Sequence, residues 1–396
     1  LKAVVLAAGE GTRLRPFTIS RPKVMLPVGG RPILEFVIQS LVDNGIKDIV
    51  VVVGYRRERI MSYFKDGRAF EARISYVAQE RQLGTAHALS LACDELDEEF
   101  LVVSGDNLID SQTIKDILTQ GSGPSLLVTR SETPSKYGVV QIDQGKIQSI
   151  VEKPVEKIGY IINTGIYRFT PDMLDHFRQK VMRGELGITQ VLKDLVPAME
   201  MRAIPTAGRW IDAVYPWDLI ALNAAALGDL GQRVEGRVEA GVTFKGTVRI
   251  GRGSRIRSGS YVEGPVVIGE GVDIGPHTVI MPSTSIGDQA QIGPLTYLSS
   301  CLIMNNVTIG SHCHASRCVI DSGVRMGPNC SCSSGPATTR IEDDFFMLDD
   351  IGALVGESTH LEAGGVLAPG SIVGAGCRIH GGARVRGNLE NGSIVV

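Results

Sequence analysis

The stretch Val262-Glu263-Gly264-Pro265-Val266-Val267-Ile268-Gly269-Glu270-Gly271-Val272-Asp273-Ile274 places an aliphatic residue at every sixth position, and the beat extends far to either side. It runs from Val238 through Phe244, Ile250, Ile256, Val262, Ile268, Ile274, Ile280, Ile286 and Ile292 to Leu298. Four residues after each of the first ten stands a small or β-branched residue: Val242, Val248, Ser254, Ser260, Val266, Val272, Thr278, Thr284, Ala290 and Thr296. Neither a helical nor an alternating period accounts for this. A three-sided parallel β-solenoid does, with one hexapeptide per flat face, the apolar residue inside and the small one where coils stack. The beat slips by one residue between Leu298 and Ile303 and again between Ala315 and Ile320, then is clean at Val355, Leu361, Leu367, Val373, Ile379 and Val385. The segment from Ser333 to Leu348 breaks it and reads as a loop leaving the solenoid.

Upstream the period changes. Ala3-Val4-Val5-Leu6, Asp48-Ile49-Val50-Val51-Val52-Val53, Ile74-Ser75-Tyr76-Val77 and Phe100-Leu101-Val102-Val103-Ser104 are short β-branched runs. Between them lie helical patterns over Ile33–Val42, Arg57–Phe64 and Thr85–Leu96. Unbroken apolar strands alternating with helices indicate a parallel α/β sheet buried on both faces. Ligands bind such sheets at the strands' carboxyl ends, where the Gly9 loop and Gly105-Asp106 fall. We expect domains over residues 1–225 and 234–396, joined by an alanine- and glycine-rich linker over 226–233.

The 396 residues are enough for two cores. Forty basic residues against 43 acidic ones give a net charge of −3 and no field for wrapping a polyanion, so no nucleic-acid partner is expected. No apolar run reaches the roughly 18 residues of a membrane helix. The strand-like run starting at Lys2 leaves no room for a signal peptide, so the expected location is cytoplasmic. Seven cysteines, an odd number in a chain this long, do not form a secreted disulfide framework.

Leu6-Ala7-Ala8-Gly9-Glu10-Gly11-Thr12-Arg13-Leu14-Arg15-Pro16 follows the first strand directly. Its glycines let backbone N–H groups approach phosphate oxygens, and Arg13 can neutralise their charge. It is neither the Walker phosphate loop nor the dinucleotide fingerprint. The continuation Arg21-Pro22-Lys23-Val24-Met25-Leu26-Pro27-Val28, with Gly30-Arg31-Pro32, resembles the nucleotide-sugar pyrophosphorylase family, the sugar-1-phosphate nucleotidylyltransferases. Further matches follow in family order: Gln82-Leu83-Gly84-Thr85-Ala86-His87-Ala88, Gly105-Asp106, Tyr137-Gly138-Val139-Val140, Glu152-Lys153-Pro154, Asn163-Thr164-Gly165 and Trp210-Ile211-Asp212.

The resemblance covers about residues 1 to 225 and implies a Rossmann-like α/β domain. It also implies attack of a sugar-1-phosphate oxygen on the α-phosphorus of a nucleoside triphosphate, releasing pyrophosphate. It places Arg13, Lys23, Asp106 and Asp212 in catalysis, with Mg²⁺ on the two aspartates. Leu6, Ala8, Gly9, Gly11, Thr12, Gln79, Gly84 and Thr85 are expected around the nucleotide. Gly138, Glu152, Lys153, Asn163 and Thr164 are expected around the sugar phosphate. UTP or dTTP with glucose-1-phosphate or N-acetylglucosamine-1-phosphate is the expected pairing; a GDP-mannose pyrophosphorylase-like enzyme and a non-catalytic nucleotide-sugar-binding regulatory subunit are the alternatives.

The two-domain plan resembles archaeal bifunctional sugar-1-phosphate nucleotidylyltransferase/acetyltransferases, whose second domain is a left-handed β-helix. That resemblance implies a homotrimer and, if the second activity is present, acetyl-CoA with a histidine base. His312 stands nearest, but the Ser-Tyr pair that follows the base in the family is replaced by Cys313-His314-Ala315. Cys313, Cys318, Cys330 and Cys332 with His312 and His314 suggest a metal cluster. The better reading is small buried packing residues, because Cys313, Cys330 and Cys377 occupy the Ser/Thr/Val/Ala position of the repeat.

Overall fold

The computed structural model describes residues 1–121 and 123–396. They form two compact units: 1–10, 20–25 and 32–212, and 11–19, 26–31 and 213–396. No helix among the described residues is long and apolar enough to cross a membrane.

The first unit is a nine-stranded sheet in the spatial order Arg73–Ala78, Asp48–Val53, Lys2–Ala7, Phe100–Ser104, Ile161–Phe169, Ser125–Arg130, Arg202–Pro205, Lys146–Glu152 and Gly138–Asp143. The first four strands are parallel, and Ile161–Phe169 runs antiparallel to both neighbours. Val4, Val5, Val51, Val52, Val102 and Val103 are all fully buried, as expected of strands covered on both faces. The helices Ile33–Asp43 and Arg57–Phe64 lie where the pattern put them. The first is amphipathic, burying Ile33, Leu34, Val37, Ile38 and Leu41, and ends where Gly45 turns left-handed at φ +79°. The third helical pattern splits into the helix Thr85–Leu91 and a 3-10 turn, Cys93–Glu95.

In the second unit the β-helix is left-handed, and its short strands stack into three parallel faces. Ile250, Ile268 and Ile286 stack at 18-residue intervals, and Ile303 and Ile320 follow at 17. Those two shortened coils are the two slips read from the sequence. Interior residues of all three faces are buried through the middle coils, and Val238, Phe244, Leu389 and Val395 at the two ends are partly buried. Corner residues Gly241, Gly259, His277, Leu295, His312, Asn329, Gly364 and Gly382 all have positive φ, so the chain turns through the left-handed region at the same place in each coil.

The small-residue column has a polar purpose that the sequence does not announce. Ser254 Oγ donates to Gly269 O (2.7 Å), Ser260 Oγ to Gly275 O (3.0 Å) and Thr296 Oγ1 to Gly310 O (2.9 Å). Cys313 Sγ, Cys330 Sγ and Cys377 Sγ continue the series onto Gly327 O (3.2 Å), Glu362 O (3.1 Å) and Glu390 O (3.1 Å). The cysteines are buried weak donors that replace hydroxyls between coils.

One expectation needs correction. Residues 333–348 leave the solenoid as a two-stranded antiparallel hairpin, Gly335–Ile341 against Asp344–Ile351, and not as a loop. Phe346 anchors it, with its ring 4.5 Å from Tyr215 and 5.2 Å from Trp217.

On one solenoid face the outward residues are buried as well: Val267, Ser285, Leu302, Val319, Leu354 and Ile372. The helix Asp218–Leu227 covers part of this face. From that helix Asn223, 1% exposed, accepts from Gly29 N (2.9 Å) and Ser285 Oγ (2.6 Å) and donates to Ser283 O (3.0 Å). A single buried amide thus ties helix, solenoid and the 26–31 segment together, and the compact units cut across the expected boundary at 225.

Candidate active site

At the carboxyl ends of the parallel strands the backbones come very close. Gly105 N donates to Leu6 O (2.9 Å), and a side chain on Gly54 would meet Ala8 O at 2.7 Å. After this tight passage the chain forms a short antiparallel ladder in which Asn107–Ile109 pairs with Trp210–Asp212. The register sets Asp212 opposite Asn107, and so beside Asp106.

Lys23, from the 3-10 turn Lys23–Met25, enters between the two carboxylates. Its Nζ donates to Asp106 Oδ2 (2.7 Å) and Asp212 Oδ1 (2.6 Å), and the residue is 9% exposed. Burial on its own lowers the ammonium's pKa, but the charges and hydrogen bonds of Asp106 and Asp212 outweigh it and hold the lysine above its ordinary value. The structure therefore brings three of the four expected catalytic side chains of this region into one contact group.

The sugar-phosphate candidates form an adjoining cluster. Gly138 pairs with Glu152, and a side chain on Gly138 would lie 3.1 Å from Glu152 Oε2 and 3.6 Å from Asn163 Cβ. Lys153 is exposed, with its backbone N bonded to Tyr137 O (3.0 Å) at φ +43°. A non-glycine residue in that region is strained by roughly 1–3 kcal/mol, which is typical of functional sites. Asn163 donates to the Tyr167 hydroxyl (2.7 Å) and accepts from Gly165 N (2.7 Å).

Thr164 plays a different part from the one expected. Its hydroxyl is buried and donates to Leu127 O (2.6 Å), so it cannot read a sugar hydroxyl. Its carbonyl accepts from Asn107 Nδ2 (3.1 Å) and Trp210 Nε1 (2.9 Å). Thr164 thereby joins the strand Ile161–Phe169 to the aspartate ladder. Trp210 and Asn107 make links beside the aspartate pair to which the sequence reading gave no role, although Trp210 stood inside a motif it quoted.

Gln79 and Gly84, two of the residues expected around the nucleotide, meet directly. Gln79 Nε2 donates to Gly84 O (3.0 Å) and lies 2.8 Å from His87 Nδ1, leaving the amide oxygen as the group it can offer. At φ +143°, with Leu186 O 2.4 Å from any added side chain, Gly84 admits no other residue. Thr85 Oγ1 accepts from Ile188 N (2.9 Å). The Leu186–Ile188 stretch that braces this turn carries no motif, so nothing in the sequence singled it out.

Gly11, Thr12 and Arg13 belong to the second compact unit. Gly11 is left-handed at φ +79°, and its carbonyl accepts from Leu14 N (2.9 Å) and Thr18 Oγ1 (2.9 Å), closing the loop on itself. His312 is an exposed corner residue whose backbone N bonds to Pro294 O (3.0 Å). Its conformation is the one glycines adopt in other coils, which accounts for its position without a chemical role.

Residues 2–227 match the family model described as Nucleotidyl transferase, and residues 262–339 match the GMPPB C-terminal domain. A protein of Methanococcus maripaludis named bifunctional protein GlmU is 36% identical over 262 residues, 65% of this chain and 62% of that protein. The chain thus spans less than two thirds of the length of that relative. A glucose-1-phosphate thymidylyltransferase of Streptomyces antibioticus is 33% identical over 266 residues, 65% of this chain and 74% of that one. In three dimensions the chain is similar to a Bacillus anthracis crystal structure assigned as a glucose-1-phosphate thymidylyltransferase. The TM-score is 0.54 at 28% identity, over 59% of this chain and 97% of that one.

Proposed function

We propose that this chain, which belongs to the nucleotidyl transferase family, is a sugar-1-phosphate nucleotidylyltransferase that joins a nucleotidyl group from UTP or dTTP to glucose-1-phosphate or N-acetylglucosamine-1-phosphate. The observation that carries the reading is the Lys23 ammonium gripped by Asp106 and Asp212. A sugar phosphate oxygen attacks the α-phosphorus, the bond to the bridging oxygen breaks, and pyrophosphate leaves. The reaction brings two polyanions together, so the protein must neutralise charge and align the reactants more than move protons.

The residues divide that work. Lys23 cancels one of the two negative charges of the carboxylate pair before substrate arrives and sets a cation beside charge developing there. Carboxylate oxygens 2.6 and 2.7 Å from one nitrogen already hold a compact cation, and such hard donors suit Mg²⁺. Bound by Asp106 and Asp212, Mg²⁺ would supply further charge neutralisation at the phosphates. Lys153 holds the sugar phosphate, while Glu152 and Asn163 read hydroxyls above the open surface that Gly138 leaves. The Gln79 amide oxygen accepts the ring N–H of uracil or thymine. By its motif, Arg13 takes the triphosphate.

A guanine nucleotide is the second reading, favoured by the match of residues 262–339 to the GMPPB C-terminal domain. The solenoid serves as a scaffold and trimerising surface, and acetyl transfer is not part of the proposal. Pyrophosphate release with Mg²⁺, over UTP, dTTP and GTP against glucose-, N-acetylglucosamine- and mannose-1-phosphate, tests the assignment. Turnover with UTP or dTTP is expected; turnover confined to GTP would select the second reading, and silence from folded protein would reject both.

A further inference from the structure

The strand that carries Asp212 is short and stands apart from the main sheet. Trp210–Asp212 and Asn107–Ile109 form a two-stranded sheet of their own, joined over only three residue pairs. An isolated ladder of that size is marginal in water. Its register nevertheless sets Asp212 beside Asp106, so something further must hold it.

The helix Ser111–Gln120 does so, through two carboxylates that the reaction derived above does not use. Asp110, the N-cap of that helix, accepts from Thr113 N (3.0 Å) with Oδ1 and from Arg209 N (3.0 Å) with Oδ2. The second bond adds one rung to the ladder, just past the Ile109 and Trp210 pair. Thr113 Oγ1 lies 2.8 Å from Arg209 O. Asp116, 3% exposed, accepts from Thr206 Oγ1 (2.9 Å) and Ala207 N (2.9 Å) with Oδ2, while Gln112 Nε2 donates to its Oδ1 (2.7 Å). Gly208 completes the contact, for a side chain there would meet Thr113 N at 2.4 Å and Asp110 Oδ1 at 2.6 Å. The 206–209 turn is thus seated on the first turns of the helix.

Asp116 is the informative member. Among the described residues no cation pairs with it, and a buried carboxylate without one is costly unless hydrogen bonds satisfy it. Burial alone would push its carboxyl up, but the hydrogen bonds from Ala207 N, Gln112 and Thr206 outweigh that and hold it below its ordinary value. It is therefore charged at neutral pH. Hydrogen bonds to an ionised acceptor are about twice as strong as neutral ones, so the charge tightens the hold on the turn. Directly after that turn comes Trp210-Ile211-Asp212.

We propose that Asp116, seconded by Asp110, is a positioning residue of the reaction: by gripping the 206–209 turn it sets the Asp212 carboxylate against Lys23 and Asp106. The grip stands on the hydrogen bonds alone, and its catalytic consequence rests on the nucleotidylyltransferase reading.

The test uses the full chain as parent, D116N, T206V and Q112A, each read by amide hydrogen exchange and by steady-state kinetics with the substrate pair that the parent turns over. D116N should speed exchange across residues 206–212 by at least about tenfold and leave the strand Lys2–Ala7 as protected as in the parent. It should lower kcat per folded molecule by at least about tenfold while both KM values stay within about twofold, the mark of an interaction made only in the transition state. T206V removes one donor to the same carboxylate oxygen, so it should move both readouts the same way by less, and it serves if D116N does not fold. Q112A, altered at the other carboxylate oxygen, should match the parent in both. Unchanged exchange in D116N and T206V would overturn the grip. Faster exchange with kcat unchanged, or with KM raised in place of a lowered kcat, would overturn the positioning role, as would a Q112A that behaves like D116N. Exchange that responds to D116N in a chain without turnover on any nucleotide would keep the grip and discard the reading of function together with the catalytic role.

Discussion

The nine-stranded sheet and the solenoid both bury β-branched strands, but they draw their partners from different distances along the chain. In the solenoid most interior residues stack on a counterpart 17 or 18 positions on, with 35 across the hairpin and 16 in the last coil, so one coil repeats the contacts of the last. In the sheet, Lys23 meets Asp106 and Asp212 across 83 and 189 positions. Local repetition builds a stiff support in which each buried residue serves the packing of its neighbouring coils. Long-range convergence builds a site in which one side chain answers to several distant segments. The comparison predicts that single changes in the aspartate group remove function with little loss of fold, and that single changes in the solenoid unit do the reverse.

The largest effect is expected at Asp106. Asp106→Asn should lower turnover by about a thousandfold or more, in line with loss of a preorganised electrostatic group. Lys23 still holds Asp212 at 2.6 Å in that variant, so the unfolding midpoint should move little. Paired measurements of initial rate and urea denaturation separate the two. A variant that turns over normally, or that unfolds before it loses activity, breaks the distinction drawn between the regions.

Asn223 is the converse case. Replacing it with Ala leaves Gly29 N, Ser285 Oγ and Ser283 O without their partner in a buried place, at a cost of about 3 kcal/mol. Chemical denaturation should report this loss. If stability is unchanged, the amide is not the fastener described, and the solenoid unit is more tolerant than its packing implies.

A smaller effect comes with pH. Because the folded-state pKa of Lys23 is raised, its contribution to stability is fully present below the unfolded value of about 10.4 and disappears as pH rises through the folded value. Between pH 6 and 9, then, Lys23 should add no slope to stability. In strongly alkaline solution the parent should lose up to about 1.4 kcal/mol per pH unit that K23M does not. Denaturation series of the two proteins check this, and parallel curves above pH 10.5 would mean that the carboxylate pair does not hold the ammonium as described.

The contrast in range also decides how much could be read from the sequence. The solenoid was legible down to its two one-residue slips, because most of its contacts recur at an offset of 17 or 18 residues. The hairpin was not, since its turn at Glu342-Asp343 lacks the Asn-Gly or Asp-Gly signal of tight hairpins. Asp106, Lys23 and Asp212 were each visible as parts of motifs, but their meeting at one ammonium depends on the pairing of Asn107–Ile109 with Trp210–Asp212, and no local pattern encodes that. Thr164 shows the same limit, for the motif named the residue while the fold uses its carbonyl and buries its hydroxyl. Asn223 looked like one polar residue in an alanine-rich helix, and only the packed solenoid face makes it a clamp.

His312 offers the finest test of the comparison, because the motif and the coil assign it different work. As an acetyl-transfer base it would be irreplaceable; as a corner residue at φ +57° it fills a left-handed position that glycine adopts without strain. Relief of that strain is worth about 1–2 kcal/mol, while the extra freedom of glycine in the unfolded chain returns about 0.4–1 kcal/mol of it. His312→Gly should therefore stabilise the protein by about 0.5–1 kcal/mol and leave pyrophosphate release unchanged. A calorimetric melting series with a parallel acetyl-CoA thiol-release assay reads both quantities. Thiol release by the parent that vanishes in the variant would turn His312 from a feature of the coil into a feature of chemistry, and would give the solenoid a second site built from its own repeat.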